Sequence, residues 1–340
     1  MIFKNAELFN VSEIYPSPLG GYCMRRFPEA VEEHFECVPQ AIRMNQSTTG
    51  VELRFVMHSD TVTIRMAHKN PEDTTTSTFH VYYGNIQGKW NDHEVDKHIR
   101  GEVHDFVIQK PDNLAFLQEA TAVSGSDWDP QVVRVIFDRG YLRLMDIIGD
   151  IEPPTKEQCP SKTLLTYGSS ITHGSNSLDS SHSWPSLLGH CLNMDVRNLG
   201  MAGSCAFEKE TADYLAVQDW DIITLELGIN VLHWPVEKIR PRVEYIIETV
   251  AGKNPLKPVI VISPFFCAGG EAKANIWRRI IDDVVDTLAL PNVTYINGLD
   301  LLGDITLLSA DEVHPNIHGV YQIAERLKRY IQLVPGPSKS

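Results

Sequence analysis

The sequence predicts two domains, a β-sandwich of the jelly-roll type followed by an α/β domain with a parallel sheet. Its 340 residues exceed the size at which a single hydrophobic core usually stops growing. Apolar positions alternate with a period of two from about residue 50 to 150, and strand and helix patterns alternate after that. Between the two regions, IEPPTKEQCPSK (residues 151–162) has the prolines and charges typical of a linker. We therefore expect domains at residues 1–155 and 156–335.

The first region contains several short strands. The alternation is clearest at Val51, Leu53, Phe55 and Met57, which are expected to face one way. It returns in the stretches TVTIRM, FHVYY, DFVI and VVRVIFD, with turn residues between them. Short strands at such intervals are typical of a β-sandwich.

The second region alternates strands with helices. The stretches TLLTY, DVRN, DIITLEL, PVIVIS and NVTYI have the composition of buried strands. The clearest helix runs from about residue 236 to 250, and a final helix covers about 316–333. One face of the first helix carries Ile239, Val243, Ile246, Ile247 and Val250. Such alternation predicts right-handed βαβ units and a parallel sheet covered on both faces.

Composition and charge limit the classes of function. Hydrophobic residues make up 43% and charged residues 22%, values typical of a folded protein. The 30 Lys and Arg against 44 Asp and Glu give a net charge of −14, which repels nucleic acid and anionic lipid surfaces. We expect neither nucleic acid nor a membrane as a partner.

The sequence also predicts a cytoplasmic location. The N-terminal MIFKNAELFNVSEIY has no continuous apolar stretch of the kind that a secretory signal contains, and no segment has the length of a membrane span. The six cysteines are scattered without C-x-x-C spacing, which argues against a zinc site and a disulfide scaffold. We expect reduced thiols, no metal and no cofactor.

Polar signatures follow three of the predicted strands, at the sheet edge where reactive groups collect in α/β proteins. YGSSITHG (residues 167–174) has glycines that permit a tight turn and expose a hydroxyl. NLGMAGS (198–204) and LGIN (227–230) offer a backbone N–H and a side-chain amide, the donors that stabilise an oxyanion in acyl transfer. Each stretch, taken alone, is also compatible with an ordinary turn or helix N-cap.

A fourth signature, DEVHPN (residues 311–316), precedes the last helix. Since Pro315 breaks regular structure, Asp311 and His314 are expected in one loop, where the carboxylate holds the imidazole Nδ1–H. The other ring nitrogen then accepts a proton from a serine, as in a Ser-His-Asp triad. A metal site on His314 and His318 is the alternative, but Pro315 argues against one regular helix through both, and no third ligand accompanies them.

These four stretches together resemble the sequence blocks of the SGNH (GDSL-like) hydrolases. The matching residues are GSSIT, NLGMAG, GIN and DEVHP, in family order, and the resemblance covers residues 163–333. It implies a flavodoxin-like, three-layer α/β/α domain with a serine nucleophile. It also assigns the nucleophile to Ser170, the base pair to His314 with Asp311, and the oxyanion hole to the Ser170 and Gly203 amides with the Asn230 side chain.

The sequence departs from the family pattern at two positions. Ser169 stands where the family has Asp, and Val231 stands where many members have Asp. Neither position supplies the nucleophile or the base, so the departures argue only against the lipase-like branch. Thr172 replaces the second glycine of a G-x-S-x-G elbow, which argues against the α/β-hydrolase fold.

Further residues near the four blocks are candidates for the pocket. His173 follows the serine block, and His233 and Trp234 follow Asn230, so all three are candidate substrate-binding residues; for His173 a capping role is equally open. For Cys205 we expect a small buried thiol and no role as nucleophile, because no base is assigned to it.

The layout of the N-terminal strands is similar to the jelly roll that precedes the SGNH domain in some carbohydrate esterases and SGNH acyltransferases. The resemblance implies a serine esterase acting on small esters, acetyl groups on a carbohydrate above all. An acyltransferase with an acyl-thioester donor and a carbohydrate-binding protein with an inactive hydrolase domain are the alternatives. Trp90 and Trp128 are candidates for stacking on a sugar, although core packing is favoured. A homo-oligomer stays open.

Overall fold

We describe the protein from a computed structural model. The described residues are 1–72, 77–89 and 98–333. The strands are β1 Ile2–Phe3, β2 Ala6–Phe9, β3 Glu13–Pro16, β4 Tyr22–Arg25, β5 Glu52–Met57, β6 Thr61–His68, β7 Phe79–Tyr83, β8 Ile86–Gln87, β9 His104–Gln109, β10 Val132–Phe137, β11 Leu142–Ile148, β12 Ile151–Glu152, β13 Thr163–Gly168, β14 Asp195–Gly200, β15 Ile222–Glu226, β16 Val259–Ile262 and β17 Val293–Ile296. The α-helices are α1 Glu29–Glu32, α2 Gln40–Asn45, α3 Leu114–Ser124, α4 Ser170–His173, α5 Trp184–Leu192, α6 Lys209–Ala216, α7 Val236–Lys253, α8 Glu271–Leu288, α9 Gly298–Leu301 and α10 Ile317–Leu333.

The chain forms two compact units. The β unit consists of Met1–Pro28, Gln46–Ser161 and Asn193–Asp195. The α/β unit consists of Glu29–Asn45, Lys162–Leu192 and the chain from Val196 onward. The domain boundary that the sequence predicts between residues 155 and 156 stays a prediction. By contacts, the short segment Glu29–Asn45 groups with the α/β unit although it lies early in the chain.

The β unit is a sandwich of two antiparallel sheets. One sheet has the order β1-β2-β5-β10-β7-β8, with β12 also paired to β5, and the other has the order β3-β4-β11-β6-β9. Both sheets contribute to one core, which contains Leu53 and Phe55 of the first sheet and Ile64 and Phe106 of the second. Burial of these alternating apolar side chains drives the sheets together. The predicted β-sandwich is confirmed.

Strand β5 differs from the expected alternation because both of its faces are buried. On the face opposite the core, the Arg54 guanidinium donates to both Asp195 oxygens at 2.7 Å and to Glu52 Oε2 at 2.8 Å. Trp128, 4% exposed, lies under the guanidinium groups of Arg54 and Arg134 at 4.9 and 3.9 Å from its ring centre. This bidentate, fully paired arrangement meets the requirement for burying a charge.

Trp128 is one of the two tryptophans that are candidates for stacking on a sugar. Because Trp128 is enclosed by these cations, its packing role is confirmed. Trp90 lies outside the described residues.

The α/β unit has a five-stranded sheet with the order β14-β13-β15-β16-β17. The pairs β13–β15, β15–β16 and β16–β17 are parallel. Numbered by position in the unit, this is the order 2-1-3-4-5 of flavodoxin-like folds, whose ligand crevice lies where the strand order reverses, beside the first strand. The predicted fold class, an α/β unit with a parallel sheet preceded by antiparallel sheets, is confirmed.

The helices of the α/β unit form two packed groups, α5 with α10 and α6 with α7 and α8, as expected for layers on the two faces of a sheet. In α7 the buried face carries the five apolar residues predicted for it. Among the described residues, we find no helix with the length and apolarity needed to cross a bilayer. All six cysteines are free. The cytoplasmic location stays a prediction.

Candidate active site

The predicted nucleophile lies at the end of the first strand of the parallel sheet. Strand β13 ends at Gly168, and Ser170 begins the short helix α4 with 8% of its surface exposed. Ser169 is the N-cap of this helix, since its Oγ accepts the Ile171 N–H at 3.1 Å. Asp and Ser are both good N-cap residues, so Ser169 performs the capping that an Asp at this position can perform.

Ser170, His314 and Asp311 form one chain of hydrogen bonds. The Ser170 hydroxyl donates to His314 Nε2 at 2.8 Å, and His314 Nδ1–H donates to Asp311 Oδ2 at 2.8 Å. The two contacts use opposite ring nitrogens, so the carboxylate fixes the tautomer that leaves Nε2 free to accept a proton. The three residues predicted for the triad therefore lie together in the required order.

The loop around Asp311 favours its ionised form. Partial burial opposes the charge, but the backbone N–H groups of His314 and Val313 donate to Oδ1 at 2.9 and 3.0 Å, and Ser309 Oγ–H donates at 2.8 Å. These donors lower the pKa of Asp311 well below its ordinary value. The carboxylate is thus negative at neutral pH and able to stabilise an imidazolium.

This geometry also bears on the metal alternative. Both nitrogens of His314 are engaged by Ser170 and Asp311, and His318 is an exposed residue of the first turn of α10. The expectation that His318 lies on the helix surface is confirmed. Within the described residues no cluster of His, Cys, Asp and Glu has the spacing of a metal site.

A second Ser-His-Asp group lies in the loop after the nucleophile helix, and its geometry differs. His182 Nδ1 lies 3.0 Å from both Asp179 oxygens, and Ser181 Oγ also lies 3.3 Å from Nδ1. The Ser181 hydroxyl donates to Asp179 Oδ1 at 2.6 Å. Hydroxyl and carboxylate share one ring nitrogen here, so the imidazole cannot pass a proton between them as a triad does.

The loops that carry the predicted oxyanion donors lie next to residues 168–173, which hold the predicted nucleophile and are called the nucleophile turn below. The Met201 N–H donates to Gly168 O at 2.7 Å, and Asn198 Nδ2 donates to Thr172 O at 2.8 Å. Across the next loop, the Cys205 N–H donates to Asn230 Oδ1 at 3.0 Å. The carboxyl ends of β13, β14 and β15 therefore meet at one place.

The candidate donors themselves are unused. The Ser170 N–H, the Gly203 N–H and Asn230 Nδ2 donate to no acceptor within the parts of the chain that the structure describes. Gly203 has a φ of +68° and Gly228, before the turn that carries Asn230, has a φ of +110°, values that favour glycine. A Cβ on Gly228 would lie 2.9 Å from Pro264 Cγ. These glycines allow the two loops to turn sharply, and the turns leave the Gly203 N–H and Asn230 Nδ2 available as donors.

Cys205 is a structural residue of this region. Its side chain is 1% exposed, and its Sγ–H donates to Glu226 O at 3.8 Å. Burial in a low-dielectric interior, together with the nearby Glu226 carboxylate, raises the pKa of the thiol well above its ordinary value. The expectation of a small buried thiol is confirmed.

Asn176, which the sequence reasoning missed, braces the acid of the triad. Its Nδ2 group donates to Ser309 Oγ at 2.8 Å and to Asp311 Oδ2 at 3.3 Å. Asn176 itself has a φ of +65°, a left-handed conformation that Asn tolerates better than most residues. No local pattern predicts this contact, because it joins loops that are 135 residues apart.

We expect Asn176→Gly to lower kcat about fivefold, since two side-chain hydrogen bonds of about 1 kcal/mol or less each are lost while the left-handed backbone stays relaxed. Steady-state kinetics with a soluble ester measures the change. Asn193→Gly is the matched control, because Asn193 also has a positive φ and binds a carbonyl, Gly125 O, outside the α/β unit. Equal kcat for both variants would contradict the bracing role.

A second missed residue, Glu226, lies directly behind the nucleophile turn. Its Oε2 accepts the Ser169 N–H at 2.7 Å and the Thr172 hydroxyl at 3.0 Å, while the buried Oε1 has no partner among the residues that the structure describes. A Cβ on Gly168 would lie 2.6 Å from Oε2, so glycine at that position makes room for the carboxyl. Complete burial raises the pKa of Glu226 to about 7, against the lowering effect of the Ser169 and Thr172 hydrogen bonds.

The three candidate pocket residues differ in exposure. His173 is 4% exposed at the end of α4, and its buried ring indicates packing. His233 is exposed and lies edge-on to the half-buried Trp234, with ring centres 6.2 Å apart. Lys238 Nζ lies 3.6 Å from the centre of the Trp234 ring. Their contact with substrate stays a prediction.

The sequence profile of the GDSL-like Lipase/Acylhydrolase family matches residues 161–332. The chain belongs to this family. The matched residues begin just before β13 and end in α10, so they include the nucleophile turn, both donor loops and the Asp311 loop. The resemblance read from the four sequence blocks is confirmed. No curated protein sequence matches the chain significantly.

Several solved structures share the fold over most of the chain. The salicylyl-acyltransferase SsfX3 from a tetracycline biosynthetic pathway is 16% identical, with a TM-score of 0.76 over 97% of this chain and 96% of its own. A putative GDSL-like lipase from Bacteroides ovatus is 17% identical, with a TM-score of 0.66 over 91% of each chain. A family two carbohydrate esterase from Clostridium thermocellum, solved with cellohexaose, is 13% identical, with a TM-score of 0.57 over 83% of this chain and 91% of its own. At these identities the similarity establishes the fold.

Proposed function

We propose that this protein is a serine esterase that hydrolyses small esters, most of all acetyl groups on a carbohydrate, through an acyl-serine intermediate. The observation that carries the proposal is the hydrogen-bonded chain from Ser170 through His314 to Asp311, with a separate ring nitrogen for each contact. Membership in a family of lipases and acylhydrolases supports the reaction class. The unused donors on the neighbouring loops support acyl chemistry in particular.

In the first half of the reaction, Ser170 Oγ attacks the ester carbonyl carbon while its proton moves to His314 Nε2. The carbonyl oxygen becomes an oxyanion and receives hydrogen bonds from the Ser170 and Gly203 N–H groups and from Asn230 Nδ2. Asp311 stabilises the imidazolium through Nδ1–H. The carbon–oxygen bond to the alcohol then breaks, His314 gives its proton to that oxygen, and the acyl group stays on Ser170.

In the second half, water takes the place of the alcohol. His314 Nε2 accepts a proton from the water as its oxygen attacks the acyl-serine carbonyl, and the same donors stabilise the second oxyanion. When the intermediate breaks down, the proton returns to Ser170 Oγ and the free acid leaves. The enzyme regains its starting protonation, so one ester and one water give one acid and one alcohol.

Acyl transfer to an alcohol other than water is the second candidate function. The triad serves both outcomes, and a salicylyl-acyltransferase shares the fold over 97% of this chain. In that reaction an acyl-thioester acylates Ser170 and an acceptor hydroxyl attacks in place of water. The carbohydrate substrate, in turn, is supported by the fold shared with an esterase solved with cellohexaose. The two candidates predict different products from the same acyl-enzyme.

A product assay separates the two candidates. The purified chain is incubated with acetylated oligosaccharides and, separately, with acetyl-thioester plus unacetylated oligosaccharides, and acetate and acetylated products are quantified. We expect release of acetate from the oligosaccharides without net transfer. Accumulation of acetylated sugar from the thioester would replace hydrolysis by transfer, and inertness of every ester and thioester would reject both.

Labelling of Ser170 by a fluorophosphonate tests the nucleophile independently of the substrate. We expect a single phosphonyl adduct, located on Ser170 by fragmentation of the labelled peptide, because only this serine donates to an imidazole ring nitrogen opposite a carboxylate within the described residues. Ser181 provides the internal control, since its hydroxyl shares Nδ1 of His182 with Asp179. A carbohydrate-binding protein with an inactive hydrolase domain would give no adduct.

A further inference from the structure

Residues 29–45 place the Gln40 side chain against the loop after β14, which carries Gly203, although Gln40 and Ala202 of that loop are 162 positions apart in the sequence. The segment is fastened to the α/β unit by Glu36, whose carboxylate pairs with Lys238 at 2.8 Å and with Arg242, both on α7. The Glu36 N–H also donates to Glu208 Oε1 at 3.1 Å. These contacts hold α2, which begins at Gln40, next to the loop after β14.

Gln40 binds the peptide group that contains the candidate donor. Its Nε2 donates to Ala202 O at 2.9 Å, and that carbonyl belongs to the same peptide group as the Gly203 N–H. The peptide is trans, so its N–H points opposite to its C=O and therefore away from Gln40. A Cβ on Gly203 would lie 3.6 Å from Gln40 Cγ, which places the Gln40 stem against the loop.

We propose that Gln40 is a positioning residue that fixes the direction of the Gly203 N–H as an oxyanion donor. The inference rests on the proposed function, in which Gly203 stabilises the tetrahedral intermediate. Gly203 has a left-handed φ, and its N–H has no acceptor among the described residues. Within the loop, rotation of the peptide is opposed by the Ser204 N–H bond to Met201 O at 3.0 Å and by a longer contact, 3.4 Å, from Ser204 Oγ–H to Ala202 O. A hydrogen bond to the carbonyl restrains that rotation and also polarises the N–H, which strengthens it as a donor.

The contact has a specific kinetic consequence. A donor that is aligned with the oxyanion lowers the barrier to the tetrahedral intermediate and has little effect on the bound ester, since the charge develops only in the transition state. Loss of Gln40 should therefore lower kcat and leave KM nearly unchanged. A residue that merely stabilised the fold would change the amount of folded protein and leave the kcat of the folded fraction intact.

The test uses Gln40→Met, which keeps the length of the side chain and removes the donor, together with Gln40→Ala. We expect kcat for a soluble ester to fall about tenfold in both, with KM changed by less than about twofold, and phosphonylation of Ser170 to slow in parallel. Gln322→Ala is the matched control, because Gln322 also donates from Nε2 to a carbonyl, Leu301 O, at 3.0 Å. Wild-type kcat in Gln40→Met would overturn the proposal.

A second readout needs no ester. The Ser204 N–H donates to Met201 O at 3.0 Å and the Cys205 N–H donates to Asn230 Oδ1 at 3.0 Å, so both amides report on the order of the loop. Gln40→Met should speed hydrogen exchange at these two amides, and Gln322→Ala should not. Faster exchange in a chain that hydrolyses no ester would leave the positioning role standing and reject the proposed function. Unchanged exchange together with unchanged kcat would reject the positioning role alone.

Discussion

Replacement of Ser170 by alanine should lower kcat for ester hydrolysis by on the order of 10⁶-fold, the loss that removal of a triad serine causes in a known serine protease. In the proposed mechanism Ser170 supplies both the attacking oxygen and the proton that His314 Nε2, 2.8 Å away, accepts. His314→Ala should cost nearly as much, and the double variant little more than either, because the two residues act as one unit. Initial rates of acid release measure all three.

The second Ser-His-Asp group supplies the controls for this series. Ser181→Ala and His182→Ala remove a serine and a histidine from the same unit, eleven and twelve positions after the nucleophile. Because the Ser181 hydroxyl and the Asp179 carboxylate share Nδ1 of His182, we expect both variants to keep nearly wild-type kcat. Full activity in Ser170→Ala, or a comparable loss in His182→Ala, would rule out the assigned triad. A fold check by circular dichroism excludes trivial unfolding.

The sequence was sufficient for the fold class and for the expectation that Ser170, His314 and Asp311 lie together. The strands of the second half are nearly continuous apolar runs, and parallel strands end at one sheet edge, so polar residues that directly follow β13, β14 and β15 must come together. Asp311 and His314 are three residues apart, so their contact is local. The Asp311–His314 contact was predictable because the two residues are close in the sequence, and the meeting of the three loops was predictable because their strands are neighbours in the sheet.

The residues that the sequence did not predict make contacts across long separations. Gln40 binds Ala202 across 162 positions, and Arg54 binds Asp195 across 141. Neither contact changes the local periodicity, so hydrophobic pattern alone cannot reveal it. The same limit explains β5, whose polar side chains alternate as if they faced water although both faces of the strand are buried.

Glu226 illustrates a different limit. In the stretch DIITLEL the apolar pattern predicts a strand, but it does not predict whether the Glu226 side chain is buried or exposed. The structure places its carboxyl in the interior, 0% exposed, where it accepts the Ser169 N–H and the Thr172 hydroxyl. A buried acid of this kind is either ionised at a cost or protonated, and the choice depends on pH.

The free energy of unfolding should therefore carry a pH dependence that Glu226 causes. Its pKa is raised from the ordinary value of 4.5 to about 7 in the folded protein, mainly by burial. Between these values the folded state binds more protons than the unfolded state, so the stability that this group contributes is complete below about pH 4.5 and is lost as pH rises through 7. A shift of this size corresponds to about 3 kcal/mol.

Glu226→Gln should abolish that dependence, because an amide keeps an acceptor oxygen for Ser169 and Thr172 and never ionises. The difference in unfolding free energy, variant minus wild type, should rise by about 3 kcal/mol from pH 4.5 to pH 8.5 in urea titrations. Glu248→Gln, at an exposed position on α7, is the control for the substitution itself and is measured over the same pH range. Since all other titrating groups cancel in the difference, a flat profile for Glu226→Gln would mean that the carboxyl is already ionised throughout this range. The nucleophile turn would then rest on a buried negative charge, and replacing it by the neutral amide should weaken the hydrogen bonds to the Ser169 N–H and the Thr172 hydroxyl at every pH.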